Sequence, residues 1–384
     1  MRGSPLEING RNWTAEHDLH AGKPFSLSVD DGKSRFRAAV ECVAVDDFDE
    51  TMALPEKCVA HEYMDGDGAA VETAAVIPFG AEPRISRRIE YPGDGGIVKV
   101  TTDIDAPLAE RLSVDKLSLK GDWSRVAVLE IPSDGALPGK LEWRPVRGEG
   151  ADSAVSLDRP FLSMLLESAD GAVLEISTGF DLWRWGAGDA EPSAEFALSP
   201  ASDGLVLERV LSRRFDTEER RPKTRVRLTW SLAWWLSSME PEPLGDAADL
   251  LLPDGLPDSA RAAWNGGLAE TPCHRSKPFR SALRKATRRA AGGLEEGRSL
   301  RLSGIEPVLC DAPAHLERPG KKRLIHWTHR ELIDFHFWAN RHLRPKDAGF
   351  ALSAPENGIF DAFPSFKRME TPTALDAVAV ERKK

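Results

Sequence analysis

The chain has 384 residues, of which 41% are hydrophobic and 29% are charged, a composition typical of soluble globular proteins. It contains no run of about 18 apolar residues, which excludes a helix long enough to span a bilayer. The net charge of −10 argues against a nucleic-acid-binding protein, and four cysteines without a CxxC pair exclude a zinc knuckle or a dense disulfide framework.

The N-terminal residues MRGSPLEINGRNW lack the apolar stretch of a secretory signal. We therefore expect a cytoplasmic protein, or a secreted one if a leader was removed. Neither a membrane nor a nucleic acid is an expected partner, and the oligomeric state is left open.

Residues 1–240 alternate between apolar and polar side chains and are interrupted by turn residues, which predicts antiparallel strands. The clearest hairpin joins Phe161–Glu167 to Ala172–Thr178, because Asp170 and Gly171 suit the backbone of a tight turn. Further strands are predicted at Ile97–Ile104, Val114–Leu119, Arg125–Ile131, Val173–Trp185 and Leu205–Phe215.

The longest predicted strand is Thr224–Leu236, in which apolar residues such as Trp230 and Trp234 alternate with polar ones such as Arg227 and Ser231. A strand of this length should cross a large sheet with one buried and one solvated face, and Trp234 and Trp235 should point to opposite faces. The predicted fold is mainly β: a large two-sheet antiparallel supersandwich, followed by a smaller mixed helical and irregular C-terminal segment.

A Pro/Gly-rich connector is predicted at residues 241–257, and residues 258–384 should form a basic, His-rich segment packed on the sandwich. Helical spacing predicts a helix from Pro278 to about Ala291. Leu268–Lys346 holds 17 Lys and Arg against 8 Asp and Glu, or +9, which leaves −19 for the rest of the chain. The last forty residues are expected to be irregular.

Four of the nine histidines, His326, His329, His336 and His342, lie within the sequence HWTHRELIDFHFWANRH. Imidazole changes protonation near neutral pH and is a common metal ligand. On a helix, His326, His329 and His336 would share one stripe and could act as acid or base, with Asp334 to orient them, whereas a strand would separate them. Apolar residues at helical spacing favour the helix from Thr328 onward. No metal is predicted, because a His-x-x-His pair without an intervening Glu is a weak signature; ordinary packing of the histidines is the alternative.

A second candidate site is Trp183-Arg184-Trp185 at the end of a predicted strand. Period-two geometry puts both indoles on one face, with Asp181 beside them. Flat aromatic surface beside a carboxylate suits a sugar ring, although edge or core tryptophans would show the same pattern. Arg280 and Arg284 of the basic helix would suit an anionic sugar.

The run of long strands with tryptophans near their ends resembles the galactose-mutarotase-like β-supersandwich superfamily, found in sugar epimerases, mutarotases and domains attached to glycoside hydrolases and polysaccharide lyases. The strands that carry the resemblance are Ile97–Ile104, Leu117–Ile131, Val173–Trp185 and Arg225–Leu236. The catalytic histidine pattern of that superfamily cannot be placed, because only His17, His20 and His61 precede residue 274.

The resemblance implies a carbohydrate-binding or carbohydrate-processing protein with a saccharide ligand. An anionic saccharide would suit Arg280 and Arg284. Any chemistry would be acid–base catalysis by histidine and carboxylate, with no cofactor. Two alternatives remain: a non-enzymatic structural or interaction β-sandwich protein, and a metal-dependent hydrolase at the histidine cluster.

Overall fold

The structure is a computed structural model that describes most strands and the helices of the C-terminal region. The described residues are 6–18, 23–41, 43–45, 51–53, 57–62, 68–76, 84–91, 96–105, 111–130, 140–146, 155–157, 161–178, 194–212, 225–239, 247–250, 277–302, 309–310, 323–324, 329–352, 358–370 and 379–382.

Two antiparallel sheets of nine strands each, sheet I and sheet II, form the body of the molecule. Sheet I has the order β14 (Val155–Leu157), β17 (Ala194–Ala201), β18 (Gly204–Ser212), β11 (Arg111–Gly121), β4 (Arg35–Glu41), β3 (Lys23–Asp30), β2 (Trp13–Asp18), β1 (Leu6–Asn9) and β25 (Ala379–Arg382). Sheet II has the order β13 (Trp143–Pro145), β12 (Trp123–Glu130), β15 (Phe161–Ser168), β16 (Val173–Thr178), β19 (Arg225–Trp235), β10 (Ile97–Asp105), β9 (Arg84–Tyr91), β8 (Ala69–Val76) and β7 (Lys57–Glu62).

The main core lies between the two sheets and follows from the period-two alternation of their strands. In β19, Trp230, Leu232 and Trp234 are buried in this core together with residues such as Leu27 and Leu119 of sheet I. Apolar side chains on alternate positions of both sheets therefore remove one face of each sheet from water, which is the main favourable term in folding such a sandwich.

One polar pair lies inside this core. The Tyr91 hydroxyl and Nε2 of His17 are 2.9 Å apart and both residues are buried. Trp13 stacks on Tyr91 with ring centroids 5.5 Å apart. The hydrogen bond compensates the desolvation of two polar groups among aromatic rings.

Hydrogen bonds between turns connect the two sheets at one end of the sandwich. The Asp31 carboxylate, in the β3–β4 turn, accepts hydrogen bonds from the backbone N–H of Ser34 at 2.7 Å, from that of Lys33 at 3.0 Å and from the Ser238 hydroxyl beyond β19. Partial burial raises the pKa of Asp31, but these hydrogen bonds together outweigh it and hold the pKa below its usual value.

Within its described residues, the C-terminal segment contains three helices and a small parallel sheet. The helices are α1 (Lys277–Gly293), α2 (His329–Leu343) and α3 (Pro364–Met369), with 3-10 turns at Arg344–Lys346 and Gly358–Ala362. The parallel sheet contains β20 (Ala247–Asp249), β21 (Ser299–Leu302) and β24 (Phe350–Leu352). Two short antiparallel pairs are β5 (Val43–Val45) with β6 (Thr51–Ala53) and β22 (Leu309–Cys310) with β23 (Arg323–Leu324).

A second apolar core joins this segment to the face of sheet II that points away from sheet I, here called the outer face. The helices and β24 contribute Leu283, Phe335, Phe350, Phe363 and other residues, and the sheet contributes its own set. The residues of sheet II in this core are Ile97, Ala127, Leu129, Leu165 and Ala233.

The predicted fold class is confirmed, as is a helix over the basic stretch and another from the histidine cluster onward. Trp234 is buried and Trp235 is half-buried on the opposite face, as expected. The expectation of a solvated second face along Thr224–Leu236 is wrong in part, because the C-terminal segment buries Ser231 and Ala233. The expectation that the last forty residues are irregular is also wrong in part, because they include β24, α3 and β25.

The division of the chain at residues 240 and 257 stays a prediction. The last strand, β25, nevertheless pairs with β1 at the edge of sheet I, so the chain returns to the sandwich after forming the C-terminal segment. Within the described residues, no helix is long and apolar enough to cross a membrane.

Candidate functional site

A row of polar residues crosses the outer face of sheet II. The strand register pairs Ser163 with Ser177, Ser177 with Ser231, and Ser231 with Lys99, on the adjacent strands β15, β16, β19 and β10. Paired residues in such a register have Cβ atoms about 5 Å apart. All four are buried, and Lys99 is only 6% exposed.

Glu175 lies two residues before Ser177 on the same face of β16, at the border between this row and the C-terminal segment. Its carboxylate is 1% exposed and accepts hydrogen bonds from the Ser177 hydroxyl at 2.6 Å, the Ser365 hydroxyl at 2.9 Å and the Ser365 backbone N–H at 2.8 Å. Because the single hydroxyl proton of Ser177 is used on Glu175, Ser163 must donate the 2.8 Å bond between the two serines. These bonds fix α3 against sheet II.

Local sequence explains why α3 relies on Glu175. Phe363 precedes the helix and makes no side-chain capping bond, and Pro364 has no N–H, so Ser365 offers the first backbone donor of the helix. Arg368, one turn later, donates to the Trp234 carbonyl at 2.8 Å. Gly96 allows this contact, because a Cβ at that position would lie 2.1 Å from the Arg368 guanidinium carbon.

The rest of the outer face carries charged and hydroxyl groups and belongs to neither apolar core among the described residues. We call it the polar half-face and define it by the outward residues of β8, β9 and β10: Glu72, Arg88, Glu90, Lys99, Thr101 and Asp103.

Arg88 connects the carboxylates of this surface. Its Nη1 is 2.6 Å from Glu72 Oε1, and its Nε is 3.4 Å from Glu90 Oε1. The register places Glu90 opposite Lys99, and Thr101 opposite Arg88. Donors and acceptors thus alternate on a rigid framework of three strands.

The tryptophan site predicted from the sequence lies outside the described residues. Asp181, Trp183 and Trp185 follow β16, whose last residue is Thr178.

The histidine cluster is only partly described. His326 and the side chains of His329 and Asp334 lie outside the described part of the structure, and the backbones of His329 and Asp334 belong to α2. His336 is 1% exposed and lies 3.2 Å from the Asn340 side-chain nitrogen. Asn340 in turn donates to the Phe350 carbonyl at 3.0 Å and accepts from its N–H at 2.7 Å.

His336 therefore points into the core of the C-terminal segment, where its ring also contacts Phe337 and Phe350. His342 is exposed and stacks on Trp338 with centroids 5.4 Å apart. The catalytic assignments of His326, His329, His336 and Asp334 stay predictions. Among the residues that the structure describes, no group of three His, Cys, Asp or Glu side chains is placed to hold a metal ion.

The basic helix meets the histidine cluster at Trp338. Arg284 is exposed and its guanidinium lies 5.3 Å from the centre of the Trp338 ring, whereas the Arg280 side chain lies outside the described part of the structure. Substrate binding by Arg280 and Arg284 stays a prediction. Sequence reasoning missed the polar half-face, although the alternation of Lys99, Thr101 and Asp103 in β10 was visible.

Comparison with known proteins identifies no family. No family model matches the chain, and no curated protein matches it. The resemblance to the galactose-mutarotase-like superfamily therefore stays a prediction.

Solved structures show distant similarity. Alpha-N-acetylgalactosaminidase NagBb from Bifidobacterium bifidum is 9% identical with a TM-score of 0.39, and the match covers 90% of this chain and 58% of that one. The Slr1438 protein from Synechocystis sp. PCC 6803 is 9% identical with a TM-score of 0.37, over 61% of this chain and 96% of that one. Alpha-galactosidase AgaA from Geobacillus stearothermophilus is 8% identical with a TM-score of 0.36, over 94% of this chain and 68% of that one.

This chain spans 58% of the length of NagBb, so it corresponds to part of that enzyme. At these identities and scores, the similarities assign neither a family nor an activity to the chain. The site must be interpreted from its own residues.

Proposed function

We propose that this protein binds a saccharide on the polar half-face of sheet II. The observation that carries the proposal is the combination of the Arg88 guanidinium with the carboxylates of Glu72 and Glu90 on one face of adjacent strands, next to the buried side chains of Thr101 and Lys99. A saccharide presents closely spaced hydroxyl groups that each donate and accept hydrogen bonds. A rigid surface with alternating donors and acceptors about 5 Å apart is complementary to such a ligand.

Asp181, Trp183 and Trp185 are proposed to complete the site. An indole packs against the C–H face of a sugar ring, which the charged groups of the polar half-face cannot do. The carboxylate of Asp181 would add another acceptor.

Processing of the bound saccharide would require an acid or base at the ligand. His336 is packed in the core of the C-terminal segment, so proton transfer is proposed for His326 or His329, with Asp334 as the orienting carboxylate.

A glycan array with the purified protein, followed by calorimetry on the best ligand, tests the binding proposal. Arg88→Ala removes a charged donor from the half-face, and Glu72→Gln removes the charge of an exposed acceptor while keeping the shape. Loss of a hydrogen bond involving a charged group should weaken binding about tenfold or more.

Arg125→Ala is the matched control. Arg125 is on β12 of the same sheet, is similarly exposed, and forms an ion pair with Glu167 at 2.7 Å, but it lies far from the polar half-face in the strand order. The proposal requires this variant to bind as the unmodified protein does. Equal losses in Arg125→Ala and Arg88→Ala, or no binding of any glycan, would overturn it.

A further inference from the structure

Two basic residues of α1 and two aromatic residues of α2 form a mixed surface that we call the Arg–Trp column. Arg284 and Arg288 lie 5.3 and 5.6 Å from the centre of the Trp338 ring, and His342 stacks on that ring with an interplanar angle of 6°. Each pair is separated by four residues, so its members lie one above the other on their helix. The column therefore holds two guanidinium groups about one helical turn apart.

The guanidinium groups of the column are available to an external anion. Arg284, Lys285, Arg288 and Arg289 are all exposed, and within the described part of the chain none of them pairs with a carboxylate. Contact with an aromatic ring restrains a guanidinium but leaves N–H donors at its edge. The two arginines are thus held in place and retain their hydrogen-bonding capacity.

We propose that the Arg–Trp column binds the carboxylate or sulfate groups of an acidic polysaccharide. This inference goes beyond the saccharide site on the polar half-face, because it assigns a separate surface on different elements. Arg284 and Arg288 are separated by a rise of roughly 6 Å along α1, so they address two successive anionic groups of one chain. Each guanidinium can bind such a group through two parallel N–H bonds.

The geometry favours a polysaccharide over a single-stranded nucleic acid. Trp338 is half-buried and is contacted by Phe335 at 5.8 Å, by His342 and by both arginines, which leaves little of its ring for stacking with a base. A polysaccharide needs no stacking on the ring, because its carboxylate or sulfate groups bind the N–H donors at the edges of the two guanidinium groups.

The test compares two charge-matched double variants. Arg284→Gln with Arg288→Gln removes two positive charges from the column, and Lys285→Gln with Arg289→Gln removes two from exposed positions of the same helix outside it. Binding is measured by calorimetry with oligogalacturonate and dextran sulfate as anionic probes, and with dextran and oligo-deoxythymidylate as comparators.

We expect the unmodified protein to bind at least one anionic probe and not dextran. The column variant should bind about tenfold or more weakly, whereas the other double variant should lose only a few-fold. Equal losses in the two variants, preference for oligo-deoxythymidylate, or no binding of either anionic probe would overturn the proposal. Arg88→Ala should not change this binding, so failure of the polar half-face and failure of the column are distinguishable.

Discussion

Ser365→Ala is expected to loosen α3 from sheet II. The substitution removes the hydroxyl that donates to Glu175 at 2.9 Å, while the Ser365 N–H and the Ser177 hydroxyl continue to donate to the same carboxylate. A hydrogen bond to a charged group contributes about 1.5–3 kcal/mol, and Glu175 is too buried for water to replace the lost donor. We therefore expect the free energy of opening of α3 to fall by about 2 kcal/mol.

Native-state hydrogen exchange measures this quantity directly. The backbone amides of Lys367 and Glu370 donate within α3, to Phe363 at 3.1 Å and Phe366 at 3.0 Å, and report its opening. A loss of about 2 kcal/mol should accelerate their exchange roughly thirtyfold. Ser202→Ala, at an exposed turn, is the control and should leave these amides unchanged. Acceleration below about twofold would refute the assignment of Glu175 as the anchor of α3.

Three further predictions concern the fold. Gly96→Ala should lower the free energy of unfolding, measured in urea, more than Gly32→Ala does. Both glycines have positive φ (62° and 84°), but only at Gly96 would the Cβ meet the Arg368 guanidinium. Equal losses in the two variants would contradict this explanation. Tyr91→Phe removes the 2.9 Å hydrogen bond to buried His17 and should lower the free energy of unfolding by about 1–3 kcal/mol in the same assay. An unchanged urea midpoint would contradict this prediction. Asp31, whose pKa is lowered from 3.8, stabilises the fold above that value and loses its effect as the pH falls through the folded pKa. The stability difference between the unmodified protein and Asp31→Asn should therefore shrink below about pH 4, and a constant difference would argue against the turn contacts.

Alternation along single strands predicted much of the sandwich. Trp230, Leu232, Trp234 and Leu236 point into the main core as their alternation predicts. The turn at Gly171 has the positive φ of 85° that its residues suggest. Such patterns depend only on local geometry, because successive side chains of a strand point to opposite faces. Such patterns identify the two faces of a sheet, but they do not identify the part of the chain that packs on each face.

Which side chains of the outer face are buried depends on contacts between distant parts of the chain. The predictions from the sequence were incomplete on this point. Ser231 has the sequence context of a solvated position but is buried, since the C-terminal segment packs on the outer face. Glu175 is likewise buried, and its partner Ser365 is remote in the sequence. The contact of Arg284 with Trp338 joins two helices that no periodicity relates.

One part of the outer face is covered by the C-terminal segment, and the other carries charged side chains. The border between them depends on which side chains can be buried without polar partners. Ile97 and Ala233 can be covered by apolar helices at no polar cost, whereas Lys99 and Glu175 can be buried only with polar partners. Glu175 obtains these partners from one helix in one orientation, because hydrogen bonds are directional and apolar contacts are not. A leucine at position 175 would still bury apolar surface, but it would no longer fix the position of the N-terminus of α3 on the sheet. The Glu175–Ser365 contact thus sets the position of the C-terminal segment on the outer face, and with it the extent of the polar half-face that we propose as the saccharide site.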